Sequence, residues 1–356
     1  MFMSVFAAGE RPEDRNSRFR ASGVAQQAMR GSLSAMGHLL EGTWRTEDHF
    51  PTDSDGRFVR KSASFRDQVK ADGSTPFAPE AGRYHLYVSY ACPWAHRTLI
   101  ARALLGLEDA ISISVCHPLM LENGWVFSEG KAEIADSVNG IDYLHQLYSK
   151  ADHGYTGRAT VPVLWDKKTG TLVNNESRDI LRMLTTEFRG LWTRSMELAP
   201  AELTGEIDDT AASFYNEVNN GVYQSGFART QAAYEGAVTA LFKALDHWEQ
   251  HLSTRRFLVG NQFTEADLCL FPTLLRFDPV YVTHFKCNIR RLVEYPNLWA
   301  YTRDIYQMPG VASTCSFEHI KGHYFGSHES VNPFRIVPLG PELDHAAPHG
   351  RESLSR

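Results

Sequence analysis

No two of the five cysteines stand close together in this chain, and it contains no Cys-x-x-Cys pair. Zinc fingers and dithiol redox motifs are therefore excluded. So few cysteines in 356 residues do not make a disulfide scaffold and fit a reducing compartment. No apolar run approaches the roughly 18 residues of a membrane span, so none is expected. The first twenty residues lack the basic start and apolar stretch of a secretory leader. Arg11, Arg15, Arg18, Arg20 and Arg30 resemble a transit peptide only faintly, and Glu10, Glu13 and Asp14 argue against one. Excess positive charge is also missing: 36 Lys and Arg stand against 42 Asp and Glu, a net charge of −6, which disfavours a nucleic-acid partner. There is no internal repeat and no low-complexity tract. These absences leave a cytoplasmic globular protein of about two domains, preceded by a loose extension over residues 1–36 or an over-extended start, with Met29 or Met36 as the alternative first residue.

What is present begins with an irregular stretch. Residues 37–82 are punctuated by Gly42, Pro51, Gly56, Gly73, Pro76, Pro79 and Gly82, with scattered aromatics as anchors. A loop of this length is usually functional or wraps a surface. Regular structure follows. Residues 83–90 alternate Tyr84, Leu86, Val88 and Tyr90, which is strand periodicity. Residues 92–105 read as a helix with Pro93 at its first position, where a missing N–H costs nothing. Residues 111–115 form a second strand, parallel to the first across a right-handed crossover. After an insertion over 117–157, the runs 160–165 and 170–174 predict a hairpin, and 176–184 a helix. This β-α-β then β-β-α order is thioredoxin-like. From residue 198 the pattern turns helical, over 202–219, 235–252, 265–275 and 297–305. Thr264-Glu265-Ala266-Asp267 is a capping box, with Phe263 and Leu268 as its staple. Residues 332–356 read as an extended tail; Pro348 between His345 and His349 argues against a helical metal pair, and no metal is expected.

Cys92 sits where a strand ends and a helix begins. Free N–H groups of the first turn stabilise an anion there, and a thiol so placed is expected to have a lowered pKa and to act as a nucleophile. Ala95 occupies the position of a resolving cysteine, so a mixed disulfide on Cys92 needs an external thiol. Cys116 is the less favoured internal alternative, Cys269 falls on an apolar helix face, and Cys287 and Cys315 have no such context. In thioredoxin-like proteins a cis proline before the third strand faces the active cysteine; Val161-Pro162 stands at the matching place and would leave the Val161 backbone free to pair with an extended peptide. Glu176-Ser177 opens the third helix with N–H groups and a hydroxyl for a carboxylate and a charge for an amine. A carboxylate and an amine on one carbon describe the γ-glutamyl end of glutathione. His96 and Arg97 read as structural or surface residues.

These segments together resemble one family. Residues 90–97 (YACPWAHR), 123–125 (NGW), 160–166 (TVPVLWD), 173–177 (VNNES), 218–223 (VNNGVY), 276–281 (RFDPVY) and 322–324 (GHY) are similar to the Xi-class glutathione transferases, the glutathionyl-hydroquinone reductases. The likeness covers about residues 37–335. It implies a thioredoxin-like domain followed by an all-helical domain, and a homodimer; with the change of pattern at residue 198 the domains are expected over 37–197 and 198–331, and the tail over 332–356 falls almost wholly outside the likeness. It implies that Cys92 is the nucleophile, that Trp125, Arg158, Val161, Glu176 and Ser177 hold glutathione, and that Tyr223, Tyr281 and Tyr324 surround the hydroquinone as hydrogen-bond partners and proton donors. The expected reaction frees a hydroquinone from its glutathionyl conjugate through a Cys92–glutathione disulfide. The alternative is an Omega-like thiol transferase or dehydroascorbate reductase. A non-catalytic glutathione-transferase-like module is disfavoured by the presence of Cys92.

Overall fold

The computed structural model describes residues 37–46 and 52–355. The expected extension over 1–36 lies outside them. A two-stranded ladder comes first, β1 (His38–Leu40) against β2 (Thr43–Arg45). The main sheet has four strands: β3 (Tyr84–Val88), β4 (Ile111–Val115), β5 (Val163–Asp166) and β6 (Thr171–Asn174), in the spatial order β4-β3-β5-β6. β3 and β4 run parallel, joined by α1 (Pro93–Leu104), as the crossover predicted; β5 and β6 are antiparallel to their neighbours. The alternation in residues 83–90 does not mark a half-exposed strand. All five residues of β3 are buried, because the strand lies inside the sheet with both faces covered. The strand expected from residue 160 begins at Val163, after Pro162, which has no N–H to give to a ladder.

The insertion over 117–157 holds a helix that periodicity did not reveal, α2 (Leu144–Ala151). The helix after the hairpin, α3 (Ser177–Thr186), starts at Ser177 with Glu176 as its N-cap. The irregular segment is sewn onto the sheet edge. Phe65 and Asn175 exchange backbone and side-chain hydrogen bonds, the Asn174 amide donates to Asp67 O at 2.9 Å, and Lys70 pairs with Glu187 at 3.0 Å. This lacing carries residues 58–64 along the mouth of the site described below.

The helical half comprises α4 (Thr204–Phe214), α5 (Gly221–Gly226), α6 (Gln231–His251), α7 (Glu265–Arg276), α8 (Pro296–Tyr306) and α9 (Phe317–Ser327). The helix expected to run unbroken to residue 219 changes character at Tyr215. A π-helical turn, Tyr215–Asn219, joins α4 to α5, and a second, Phe277–Tyr281, follows α7. The capping box at Thr264 forms: the Asp267 carboxylate accepts from Thr264 N–H at 2.8 Å, Leu258 N–H at 3.0 Å and the Tyr301 hydroxyl at 2.8 Å. α7 is buried along its whole length and packs on α1. At that contact Arg97 donates to Cys269 O, 3.1 Å away. The tail folds back, with His345 among the rings of Trp299, Tyr306 and Phe317 and the Arg351 guanidinium donating to Leu252 O and Arg256 O. No helix among the described residues is long and apolar enough to cross a membrane.

Candidate functional site

Between the sheet half and the helices lies a cavity of about 420 Å³. Cys92 is on its wall as the N-cap of α1, with extended backbone (φ −78°, ψ 119°) and Pro93 in the first turn. Its carbonyl accepts from His96 N–H at 3.0 Å, which ties the cysteine into the helix. The thiol donates across the cleft to Val161 O at 3.5 Å, beside the cis Val161-Pro162 bond. The expected lowering of its pKa is not found. Burial pushes the Cys92 thiol up, against the Ala95 and Trp94 N–H groups and the charges of Arg276 and Arg60, all of which favour the thiolate. The helix start acts as anticipated but loses to desolvation.

Of the residues that the resemblance proposed for glutathione, all five line this cavity: Trp125, Arg158, Val161, Glu176 and Ser177. Glu176 caps α3, its carboxylate accepting from Arg178 N–H at 3.1 Å and the Ser177 hydroxyl at 3.3 Å, and Asn174 Oδ1 accepts from its N–H at 2.7 Å. Tyr148 braces the facing loop: its hydroxyl donates to Thr160 O at 2.7 Å and accepts from Asn175 at 3.0 Å. Trp125 stacks on His323, centroids 4.8 Å apart and planes within 20°.

The three tyrosines converge from three elements. Tyr223 comes from α5, Tyr324 from α9 and Tyr281 from the end of the second π turn. The Tyr324 hydroxyl lies 2.6 Å from that of Tyr223 and 3.1 Å from that of Tyr281. Tyr223 and Tyr324 line the cavity. Tyr281 does not: it is fully buried and backs Tyr324. Burial pushes all three phenols above their ordinary pKa, so each is a neutral hydrogen-bond donor. Behind them stand histidines kept neutral by burial: His323 is pushed down to about 4 and His284 to about 3, and His328 also lies well below its usual value. His323 Nδ1 donates to Pro118 O at 2.9 Å. α5 reaches this cluster through Gly226, where any Cβ would run into the Phe285 ring 2.1 Å away.

Several residues went unread in the sequence. His96 and Arg97 are not at the surface: both are buried, and His96 is bonded to Thr314 at 2.9 Å. Arg276 is fully buried with no carboxylate partner among the described residues. It donates to Tyr90 O (2.8 Å), Ala91 O (3.0 Å) and Pro272 O (2.8 Å), and lies 3.2 Å from His96 Nδ1. It thereby clamps the turn that delivers Cys92. Arg60 enters the cavity from the irregular segment, and Trp94 lies beneath its guanidinium. The RFDPVY run was the only signal for Arg276, and Arg60 had none. All five cysteines are free; Cys116 is fully buried. Among the described residues no cluster of His, Cys, Asp or Glu could hold a metal ion.

Comparison with known proteins agrees with this geometry. Residues 91–187 match the glutathione S-transferase N-terminal domain and residues 231–304 the C-terminal domain. The chain is 49% identical over 324 residues to the glutathionyl-hydroquinone reductase YqjG of Escherichia coli, covering 89% of this chain and 99% of that protein. It is 50% identical over 306 residues to the glutathionyl-hydroquinone reductase PcpF of Sphingobium chlorophenolicum, covering 86% and 96%. Its fold superposes on a Xi-class transferase from Natrialba magadii with a TM-score of 0.85 at 48% identity, over 89% of this chain and 97% of the other. The glutathione-bound structure of YqjG superposes with a TM-score of 0.81 at 49% identity, over 88% and 99%.

Proposed function

The chain belongs to the Xi class of glutathione transferases and reduces glutathionyl-hydroquinones, and we propose that it does so through Cys92, with the tripeptide held by Trp125, Arg158, Val161, Glu176 and Ser177. The observation that carries these assignments is the placement of the Cys92 thiol in one cavity with both the Val161 backbone and the Tyr223 and Tyr324 hydroxyls. The Glu176 carboxylate suits the γ-glutamyl ammonium. The Arg158 guanidinium suits a carboxylate through a charge-assisted contact.

An aryl thioether is a poor target for a thiolate, because the ring carbon leaves with an unstabilised electron pair. Ketonisation of one hydroquinone hydroxyl removes the obstacle. Its proton moves to the sulfur-bearing carbon, which becomes sp³ next to a carbonyl. The Cys92 thiolate then attacks the glutathione sulfur, the S–S bond forms, and the C–S bond breaks with its pair passing into the ring as an enolate. That enolate is the aromatic hydroquinone oxyanion. It gains stabilisation from neutral phenol donors and a proton from a Tyr hydroxyl or solvent. A second glutathione thiolate attacks the glutathione-side sulfur, oxidised glutathione leaves, and the Cys92 thiolate is restored. One hydroquinone carbon is reduced by two electrons and two glutathione sulfurs are oxidised. Tyr324, bonded to both other phenols, is the central donor in this scheme, and Tyr281 acts through it.

The same reading places the domain boundary near residue 197, and takes the protein as a cytoplasmic homodimer that needs no metal. Its test is to incubate the protein with a glutathionyl-hydroquinone and glutathione and follow free hydroquinone by chromatography. Release by the wild type and not by Cys92→Ala supports the assignment. No release, with reduction of dehydroascorbate or small mixed disulfides intact, overturns it.

A further inference from the structure

The cavity carries a cation at its aromatic end, away from the residues expected to hold glutathione. Arg60, Lys61 and Arg158 line it with a single carboxylate, Glu176. Bound glutathione brings two carboxylates and one ammonium, and Glu176 suits the ammonium. Arg60 is the cation at the aromatic end. Its guanidinium carbon lies 4.8 Å from the ring centroids of both Trp94 and Tyr223 and 5.4 Å from that of Phe58. Its Nε donates to Asn220 Oδ1 at 2.8 Å. Asn220 is buried at the end of the first π turn, so the fork is held from one side and stacked on others. Its two terminal nitrogens have no protein acceptor, and no carboxylate pairs with it among the described residues. A planar fork immobilised in this way is suited to a fixed carboxylate.

We infer that Arg60 recognises a ring-borne oxyanion on the aromatic half of the substrate, so that the enzyme favours glutathionyl-hydroquinones bearing an ionised carboxyl group. This rests on the reading that the cavity takes a glutathionyl-hydroquinone. The Trp94 and Tyr223 rings fix the fork at the aromatic end of the cavity, where a charged substituent on the hydroquinone ring would meet it. Lys61, exposed and beside it, lacks this fixation.

Two conjugates test the inference, those of hydroquinone and of 2,5-dihydroxybenzoate. Wild type should turn over the carboxylated conjugate with a kcat/KM about tenfold higher, the size expected of one charge-assisted contact. In Arg60→Gln the loss on the carboxylated conjugate should exceed the loss on the plain one by about tenfold, mostly in KM, and Arg60→Lys should recover part of the difference. Equal losses on both conjugates, or a wild type without preference, overturn it. Calorimetric titration of 2,5-dihydroxybenzoate and of hydroquinone into Cys92→Ser protein loaded with glutathione reads the same contact without turnover. Tighter binding of the carboxylate that disappears with Arg60→Gln supports the inference, and equal binding overturns it. A wild type that releases neither hydroquinone sinks the reductase reading instead, with the titration still deciding on Arg60.

Discussion

On the sheet side of the cavity, the groups that face a ligand are main-chain atoms and charges at helix starts: the Val161 carbonyl, the first turn of α1, and Glu176 and Ser177 at the start of α3. On the helical side they are ring hydroxyls drawn from α5 and α9, backed by neutral imidazoles. The first wall is built by secondary structure, so its geometry follows once the strands and helices pair. The second is assembled from side chains on helices far apart in sequence, and burial rather than backbone sets its chemistry. A nucleophile needs the first kind of wall. A varied set of aromatic acceptors suits the second, where exchanging one ring or one fork changes selectivity without moving the thiol.

That division can be broken most severely at Cys92. Cys92→Ala should reduce hydroquinone release by about 10³-fold or more; retained turnover would place the nucleophile elsewhere. Arg276 bridges the walls, since it sits on α7 and holds the turn before Cys92. Arg276→Met leaves the carbonyls of Tyr90, Ala91 and Pro272 without their donor, and urea unfolding should show about 3 kcal/mol lost. The pH at which iodoacetamide labels Cys92 should rise as well, because this cation favours the thiolate. Wild-type stability in that variant would show the clamp to be idle.

The helical wall should also be acid-sensitive. His323 and His284 have folded-state pKa values of about 4 and 3, below the 6.5 of an unfolded histidine. Between those limits the unfolded chain binds more protons, so their contribution is complete above pH 6.5 and is lost as pH falls toward 4. Down to pH 5, His323 alone accounts for about 2 kcal/mol of that loss. Urea midpoints at pH 7.5 and pH 5 measure it, and equal midpoints contradict it. Within the phenol cluster, Tyr324→Phe should slow kcat by about 10- to 100-fold and Tyr281→Phe by less, since of these two Tyr324 alone lines the cavity. Equal rates in all the Tyr→Phe variants would remove the tyrosines from the chemistry. Smallest is Glu176→Gln, expected to raise KM for glutathione by about tenfold while kcat falls little.

The sheet wall was the legible one. A proline after Cys92 and a hairpin between two apolar runs each leave a local mark in the sequence, and both form, the hairpin's first strand starting three residues later than expected. The alternation in β3 misled because burial on both faces removes its meaning. On the helical side, α9 carries Tyr324 yet has apolar and polar residues on every face, so its periodicity is weak. The convergence of Tyr223, Tyr281 and Tyr324 came from likeness to a family rather than from spacing. Arg60 lies in a segment with no period at all, and the buried charge of Arg276 ends a helix that otherwise reads as core.

The two π turns also act as phase shifters. Each spends one residue more per hydrogen-bonded turn than an α-helix, which advances every later side chain by about 100° around the axis. Asn220 and Tyr223 lie just after one such turn, and Tyr281 closes the other. Deleting a single residue from Tyr215–Asn219 would return the helix to ordinary pitch and rotate Tyr223 and Asn220 together out of alignment with Tyr324 and Arg60. The acceptor end of the cavity thus depends on residue count at two places as much as on residue identity, and a one-residue deletion there should be costlier than most substitutions.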